Sequence, residues 1–190
     1  MTKLKLFMLM SMLSCLFISP CFAAWYYLGN VGPAGGILFY DRGNSHEGDW
    51  KFLEVAPASS EFVAEWSEID FELKGTDRLV GSGKKNTQLI IAKLNELRQK
   101  GKAAQRCASL TIGEYSDWYL PSRDELHFLY NFFKERNEID GFHNADYWSS
   151  TQHEEENEPE YGAWYLNFGN GHQGVSNMNK SMRVRAIRTY

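Results

Sequence analysis

The period of the hydrophobic positions changes twice along this chain. Residues 25–28 and 37–40 are short aromatic and aliphatic runs separated by the glycine-rich stretch 29–36, a spacing that predicts two strands joined by a turn. Residues 50–55 read as a third strand, and Ala56-Pro57 ends it. Across residues 57–85, Trp66, Ile69 and Phe71 lie among polar positions without a period, so a long irregular excursion is expected there. The pattern then becomes helical. Ile90, Ile91, Leu94 and Leu97 fall on one face, Asn86 or Thr87 can cap that helix, and Gly101 lies near its end. A second helix opens with Ser122 and Glu125 in the capping-box spacing, after Pro121, and carries Leu126, Leu129, Tyr130 and Phe133 on one stripe. From Tyr147 onward the period returns to two. Trp164, Leu166 and Phe168 alternate with Tyr165 and Asn167, Gly169-Asn170-Gly171 marks a turn, and residues 184–187 supply a terminal strand. Strands at both ends enclosing two helices predict one α+β domain, two helices against short antiparallel strands, with its ends close together.

The first 23 of the 190 residues read differently from the rest. Lys3 and Lys5 precede an apolar run over residues 6–18, and Cys21-Phe22-Ala23 puts small residues where a signal peptidase reads them, so a signal peptide over 1–23 and a single domain over 24–190 are expected. An uncleaved anchor is the alternative, as is lipid attachment at Cys15, which follows Met12-Leu13-Ser14; Pro20 argues against the same modification at Cys21. These are the routes to a membrane that the sequence offers, and the expected location is secreted, periplasmic or in the cell envelope. Of 20 basic and 24 acidic side chains, Lys3 and Lys5 leave with the leader, so the remainder carries a formal charge of −6 and is a poor partner for nucleic acid or an anionic membrane. Of the three cysteines only Cys107 would remain, among Ala103, Ala104, Ala108 and Leu110, which predicts a buried apolar thiol and no intramolecular disulfide.

Several blocks occur in a recognisable order. They are Gly32-Pro33-Ala34-Gly35-Gly36-Ile37-Leu38-Phe39-Tyr40, Leu53-Glu54-Val55-Ala56-Pro57, Gly81-Ser82-Gly83-Lys84-Lys85-Asn86-Thr87, Asp117-Trp118-Tyr119-Leu120-Pro121-Ser122-Arg123-Asp124-Glu125-Leu126, Tyr147-Trp148-Ser149-Ser150-Thr151, Ala163-Trp164-Tyr165-Leu166-Asn167-Phe168 and Arg183-Val184-Arg185-Ala186-Ile187-Arg188. Over nearly all of residues 29–188 this order resembles the family named after the C-terminal domain of the Legionella collagen-like adhesin. The resemblance implies a C-type lectin-like fold, shared with formylglycine-generating enzymes, on an exported bacterial protein, and the naming adhesin is associated with sulfated polysaccharides. This chain has no Gly-X-Y repeat, so a collagen-like stalk is not implied. Its acidity also argues against sulfated glycans, and at least two of Arg183, Arg185 and Arg188 are expected to pair with carboxylates inside the fold.

The chemistry open to the residues is narrow. Residues 81–87 fail the phosphate-loop spacing, because Arg78 stands where its first glycine belongs and Lys85 where its hydroxyl belongs. Calcium could be held only by Glu154-Glu155-Glu156-Asn157-Glu158-Pro159-Glu160, where Glu158-Pro159-Glu160 resembles the Glu-Pro-Asn signature of sugar-binding calcium sites without its final amide. Adjacent acids point apart, so a solvated loop and no cofactor is the preferred reading. The five histidines lack zinc spacing, and Ser149 and Ser150 lack a nucleophile elbow. Trp118, Trp148 and Trp164 are assigned to the core. What remains is a non-enzymatic module that binds a glycan or surface protein, in adhesion, through the loops 152–162 and 169–180, with His153, Glu158, Tyr161, Asn170, His172 and Asn177 as contacts. Two other classes stay open: a cell-envelope enzyme of unknown substrate, and a structural or secreted effector protein.

Overall fold

The computed structural model describes residues 26–43, 49–136, 141–153 and 161–190. Its elements run β1 (Ile37–Asp41), β2 (Phe52–Val55), a single 3-10 turn (Ala58–Ser60), β3 (Phe62–Glu65), α1 (Gly83–Glu96), α2 (Ala103–Ala108), α3 (Arg123–Glu135), β4 (Asp146–His153), β5 (Gly162–Asn167), β6 (Gln173–Ser176), β7 (Ser181–Val184) and β8 (Ile187–Thr189). This is the expected α+β class. A three-stranded sheet has the order β1-β2-β8 and a five-stranded sheet the order β3-β7-β4-β5-β6. All the pairings are antiparallel except β4 with β7.

Successive side chains of the large sheet serve two cores, as the pleat requires. On one face Trp148 and Ala163 meet Trp66, Trp118, Leu120, Ile90 and Leu94 of α1, and Ala103, Ala104 and Cys107 of α2. On the other, Tyr147, Leu166 and Phe168 meet Leu126, Leu129, Tyr130 and Phe133 of α3, together with Leu53, Val55 and Ile187 of the small sheet. Cys107 is fully buried, as its apolar neighbours predict, and burial pushes its thiol far above the ordinary range. Of the three tryptophans assigned to the core, Trp118 and Trp148 lie there, but Trp164 is half-exposed. Its parity along β5 matches Leu166, yet α3 begins at Arg123 and leaves that end of the sheet without an apolar cover.

The glycine-rich turn is built around a buried carboxylate. Glu54 of β2 accepts hydrogen bonds from Ala34 N (3.1 Å) and Gly36 N (2.8 Å), and Arg188 Nη1 lies 3.0 Å from its other oxygen. Gly35 takes the left-handed φ of 81°, and a side chain at Gly36 would stand 2.0 Å from Val55 O. Arg188 also meets Asp117 (2.8 Å), while Arg183 and Arg185 both reach Glu61 at 2.7 Å. All three arginines of the last block are therefore paired inside the fold, one more than the minimum expected.

Several expectations need correction. Residues 26–28 form no strand; the ladder begins at an isolated bridge between Val31 and Ile37. Strand β3 and the 3-10 turn interrupt the excursion expected over 57–85. Helix α1 starts at Gly83 rather than after Asn86 or Thr87, because those two side chains are spent on distant backbone. Asn86 exchanges two hydrogen bonds with Asp77 (2.9 and 2.6 Å), and Thr87 Oγ1 accepts from Leu120 N (3.0 Å). Helix α2 is a third helix beyond the two expected, strand β6 lies inside the expected loop 169–180, and the terminal strand breaks at Arg185-Ala186 into β7 and β8, which belong to different sheets. The ring of Tyr26 packs edge-on against Tyr190 (5.1 Å), the closeness of ends that was expected.

Candidate functional site

Five of the six expected contact residues can be placed. Glu158, with the acidic run 154–160 that the sequence weighs for calcium and favours as a solvated loop, lies outside the described residues. Tyr161 is exposed just before β5. Asn170 shapes the β5–β6 turn, its Oδ1 accepting from His172 N at 2.9 Å, and the His172 ring lies 6.3 Å from Tyr165. Asn177 follows β6 and donates to Asp70 Oδ2 (3.0 Å). Asn170 is thus employed in turn geometry, and Asn177 in a long-range bond that ties the end of β6 to the segment before α1. His153 ends β4 with its ring 5.6 Å from Trp164, and it lines a cleft.

That cleft, of about 400 Å³, is walled by Thr76, Asp77, Arg78, Arg123, Thr151, Gln152, His153 and Trp164. Strand β4 brings Thr151, Gln152 and His153, β5 brings Trp164, and Arg123 is the first residue of α3. The remaining wall is the segment that leads into α1, and hydrogen bonds fasten it. Gln152 N donates to Thr76 Oγ1 (3.1 Å), Thr151 Oγ1 to Asp77 O (3.2 Å) and Asp124 N to Arg78 O (3.0 Å). Below it the buried Gln152 amide accepts from Leu73 N and donates to Phe71 O, both at 2.5 Å, which fixes the path of the chain into the cleft.

Arg123 is the most constrained charged group in the cleft. Its guanidinium carbon lies 3.5 Å from the centroid of the Trp164 ring, and its Nε donates to Gln173 Oε1 of β6 at 2.7 Å. Burial pushes its pKa below the ordinary value, against the opposing charge of Asp124, though guanidinium keeps its proton. Among the described residues no carboxylate comes within ion-pair distance of it, whereas Arg183, Arg185 and Arg188 are each matched to an acid. A guanidinium stacked on a ring and tied at Nε presents its two terminal nitrogens in a fixed plane, the geometry that grips an oxyanion through two bonds. Arg78 stands beside it, 62% exposed and 4.0 Å from Asp124.

Other chemistry is spoken for. Ser149 Oγ donates to Trp164 O (2.9 Å) and Ser150 Oγ accepts from Asn86 Nδ2 (3.2 Å), so both hydroxyls brace the sheet. Among the described residues no group of three or more His, Cys, Asp or Glu converges on a metal position, and no helix is long and apolar enough to cross a membrane. Arg123 and Trp164 were missed as site residues because each sits in a block whose other members are scaffold. The capping box, which makes Arg123 the first helical residue, was the signal that could have found it.

A family model described as the Lcl C-terminal domain matches residues 58–188, which include every residue lining the cleft. The blocks at 32–40 and 53–57 precede the matched span, narrower than the resemblance drawn over 29–188, and Glu54 ties them to it through Arg188. No curated protein sequence matches the chain.

Proposed function

The chain belongs to the Lcl C-terminal domain family, and on that premise we propose that it is an exported bacterial binding module, not an enzyme, which recognises a glycan or a surface protein through the cleft between α3 and the end of β4. The observation that carries this reading is Arg123 stacked on Trp164 with its terminal nitrogens turned to no carboxylate among the described residues. The ligand it fits bears an oxyanion to meet the guanidinium edge. The chain is acidic as a whole and Asp77 and Asp124 stand close by, so the case for an anionic ligand rests on the fixed Arg123 edge and not on a net positive charge of the cleft. The pair of sheets with helices on both sides supports the C-type lectin-like architecture implied by the resemblance. The leader over 1–23 supports export, and contact is direct, without calcium.

The test is a glycan and surface-protein screen with the wild-type protein, followed by Arg123→Ala and Trp164→Phe. Loss of one charged, bidentate contact weakens the ligand found by about tenfold or more, with the melting temperature held and chelator without effect. The cleft assignment fails if both variants bind as wild type while Tyr161→Ala or His172→Ala does not.

A further inference from the structure

Helix α3 does more at its start than cap itself. Ser122 and Glu125 exchange the two capping-box bonds, Ser122 N donating to Glu125 Oε2 (2.6 Å) and Glu125 N to Ser122 Oγ (3.3 Å). The same two side chains also hold the segment that walls the cleft. Gly81 N donates to Glu125 Oε1 (2.9 Å) and Ser122 Oγ donates to Leu79 O (2.9 Å), next to the bond from Asp124 N to Arg78 O (3.0 Å). Residues 76–81 are otherwise mostly solvent-facing; Thr76 and Asp77 are held by Gln152, Thr151 and Asn86, and this bracket sets where the rest of the wall, from Arg78 to Gly81, stands opposite Arg123. Glu125 itself is fully buried, and a side chain at Gly83 would stand 2.2 Å from its Oε2.

We propose that Glu125 is the positioning residue of the cleft, and that its protonation state governs whether the 77–82 wall is closed against α3. The inference rests on the cleft reading only for its consequence to a ligand. A carboxyl sealed from water is favoured as the neutral acid, and opening the wall hydrates it and favours the carboxylate. Beside it the Tyr119 hydroxyl is buried with Glu125 as its neighbour, and it can accept the acid proton of Glu125 or donate to the carboxylate. Tyr119 is the titratable group that faces the carboxyl at close range; Asp117 and Arg188 act on that same tyrosine. Asp77 and Arg78 on the wall, and Lys84 and Lys85 at the start of α1, are exposed. Burial pushes the Glu125 carboxyl up to about 7, in spite of the backbone N–H groups of Ser122, Gly81 and Gly83 that favour its ionised form. The closed wall therefore binds the proton more tightly than an open, hydrated one. Closure is favoured toward pH 5 and weakened as the pH rises through 7.

Two readouts on the full chain test this, and neither needs the ligand. The Glu125 side-chain carbon, followed by carboxyl NMR, is expected to titrate near neutrality. Amide hydrogen exchange at Gly81, Ser82 and Asp124, corrected for intrinsic rates, is expected to lose protection by about tenfold or more between pH 5 and pH 8, while amides of β4 and β5 hold theirs. Glu125→Gln flattens that profile. A Glu125 carboxyl that titrates below 5, or wall protection that does not change with pH, overturns the proposal on the wild-type protein alone. So does a Glu125→Gln profile that keeps the wild-type slope. A cleft that binds nothing leaves these outcomes unchanged, so failure of the binding reading is distinguishable from failure of this one.

Discussion

A single carboxylate, Glu61, gathers four partners: Arg183 and Arg185 at 2.7 Å, the Tyr147 hydroxyl at 2.8 Å and His143 Nδ1 at 3.0 Å. With 4% of its side chain exposed, burial alone would raise its pKa, but the hydrogen bonds from Arg185, Tyr147 and Arg183 outweigh burial and hold it below the ordinary 4.5. A depressed carboxylate contributes stability that is complete above its unfolded value and is lost as the pH falls through its folded one. Glu61→Gln is therefore expected to cost about 3 to 5 kcal/mol in urea unfolding at pH 7, because it strands the buried Arg185. The gap to wild type should narrow as the solution is taken below pH 4.5; a gap that stays constant into acid contradicts the assignment. The turn around Glu54 makes a steric prediction. Gly36→Ala drives a methyl group onto Val55 O and should cost about 3 kcal/mol or more. Gly141→Ala, with nothing among the described residues within 4 Å of the new atom, should lie within about 0.5 kcal/mol of wild type in the same assay.

At the scale of elements, α1 hangs on a bond that its own sequence conceals. Thr87 Oγ1 takes the buried Leu120 N–H, so Thr87→Val keeps the shape and orphans the donor, a loss of about 1 to 3 kcal/mol by thermal or urea unfolding. An unchanged midpoint would show that Leu120 finds another partner. The same bond explains what could be read in advance. Helix α3 was legible because its capping box and its Leu126, Leu129, Tyr130, Phe133 stripe are local, whereas Asn86 and Thr87 looked like caps and are long-range anchors. Strands β3 and β6 are four residues each and lie at the two edges of the large sheet, where one partner strand suffices and alternation has little room to declare itself. At β3 the exposed edge is closed by Arg106, whose Nη1 donates to Val63 O (2.7 Å) while its guanidinium covers Phe62. The candidate site was half legible for a related reason. Parity put Trp164 on the correct face of β5, but only the position of Arg123 decides that a charge, and not a leucine, lies upon it.

For the molecule as a whole, the break at Arg185-Ala186 is the joint between its two sheets. Strand β7 pairs with β3 and β4, and three residues later β8 pairs with β2 and bridges Tyr119 through Ile187 in both directions (2.9 and 3.0 Å). Removing residues 187–190 takes away β8, the buried Ile187 and the partner of Glu54 together, so the truncated chain is expected to show no cooperative melting transition by near-ultraviolet circular dichroism; a sharp transition would mean that the large sheet stands alone. The joint also sets a timetable. Strands β2 and β3 lie more than a hundred residues from the partners that complete them, so most of the loop-closure entropy is spent before either sheet is whole. Refolding should accordingly be slow, in the millisecond-to-second range typical of non-local topologies, with both cores gaining their fixed packing in the same late step.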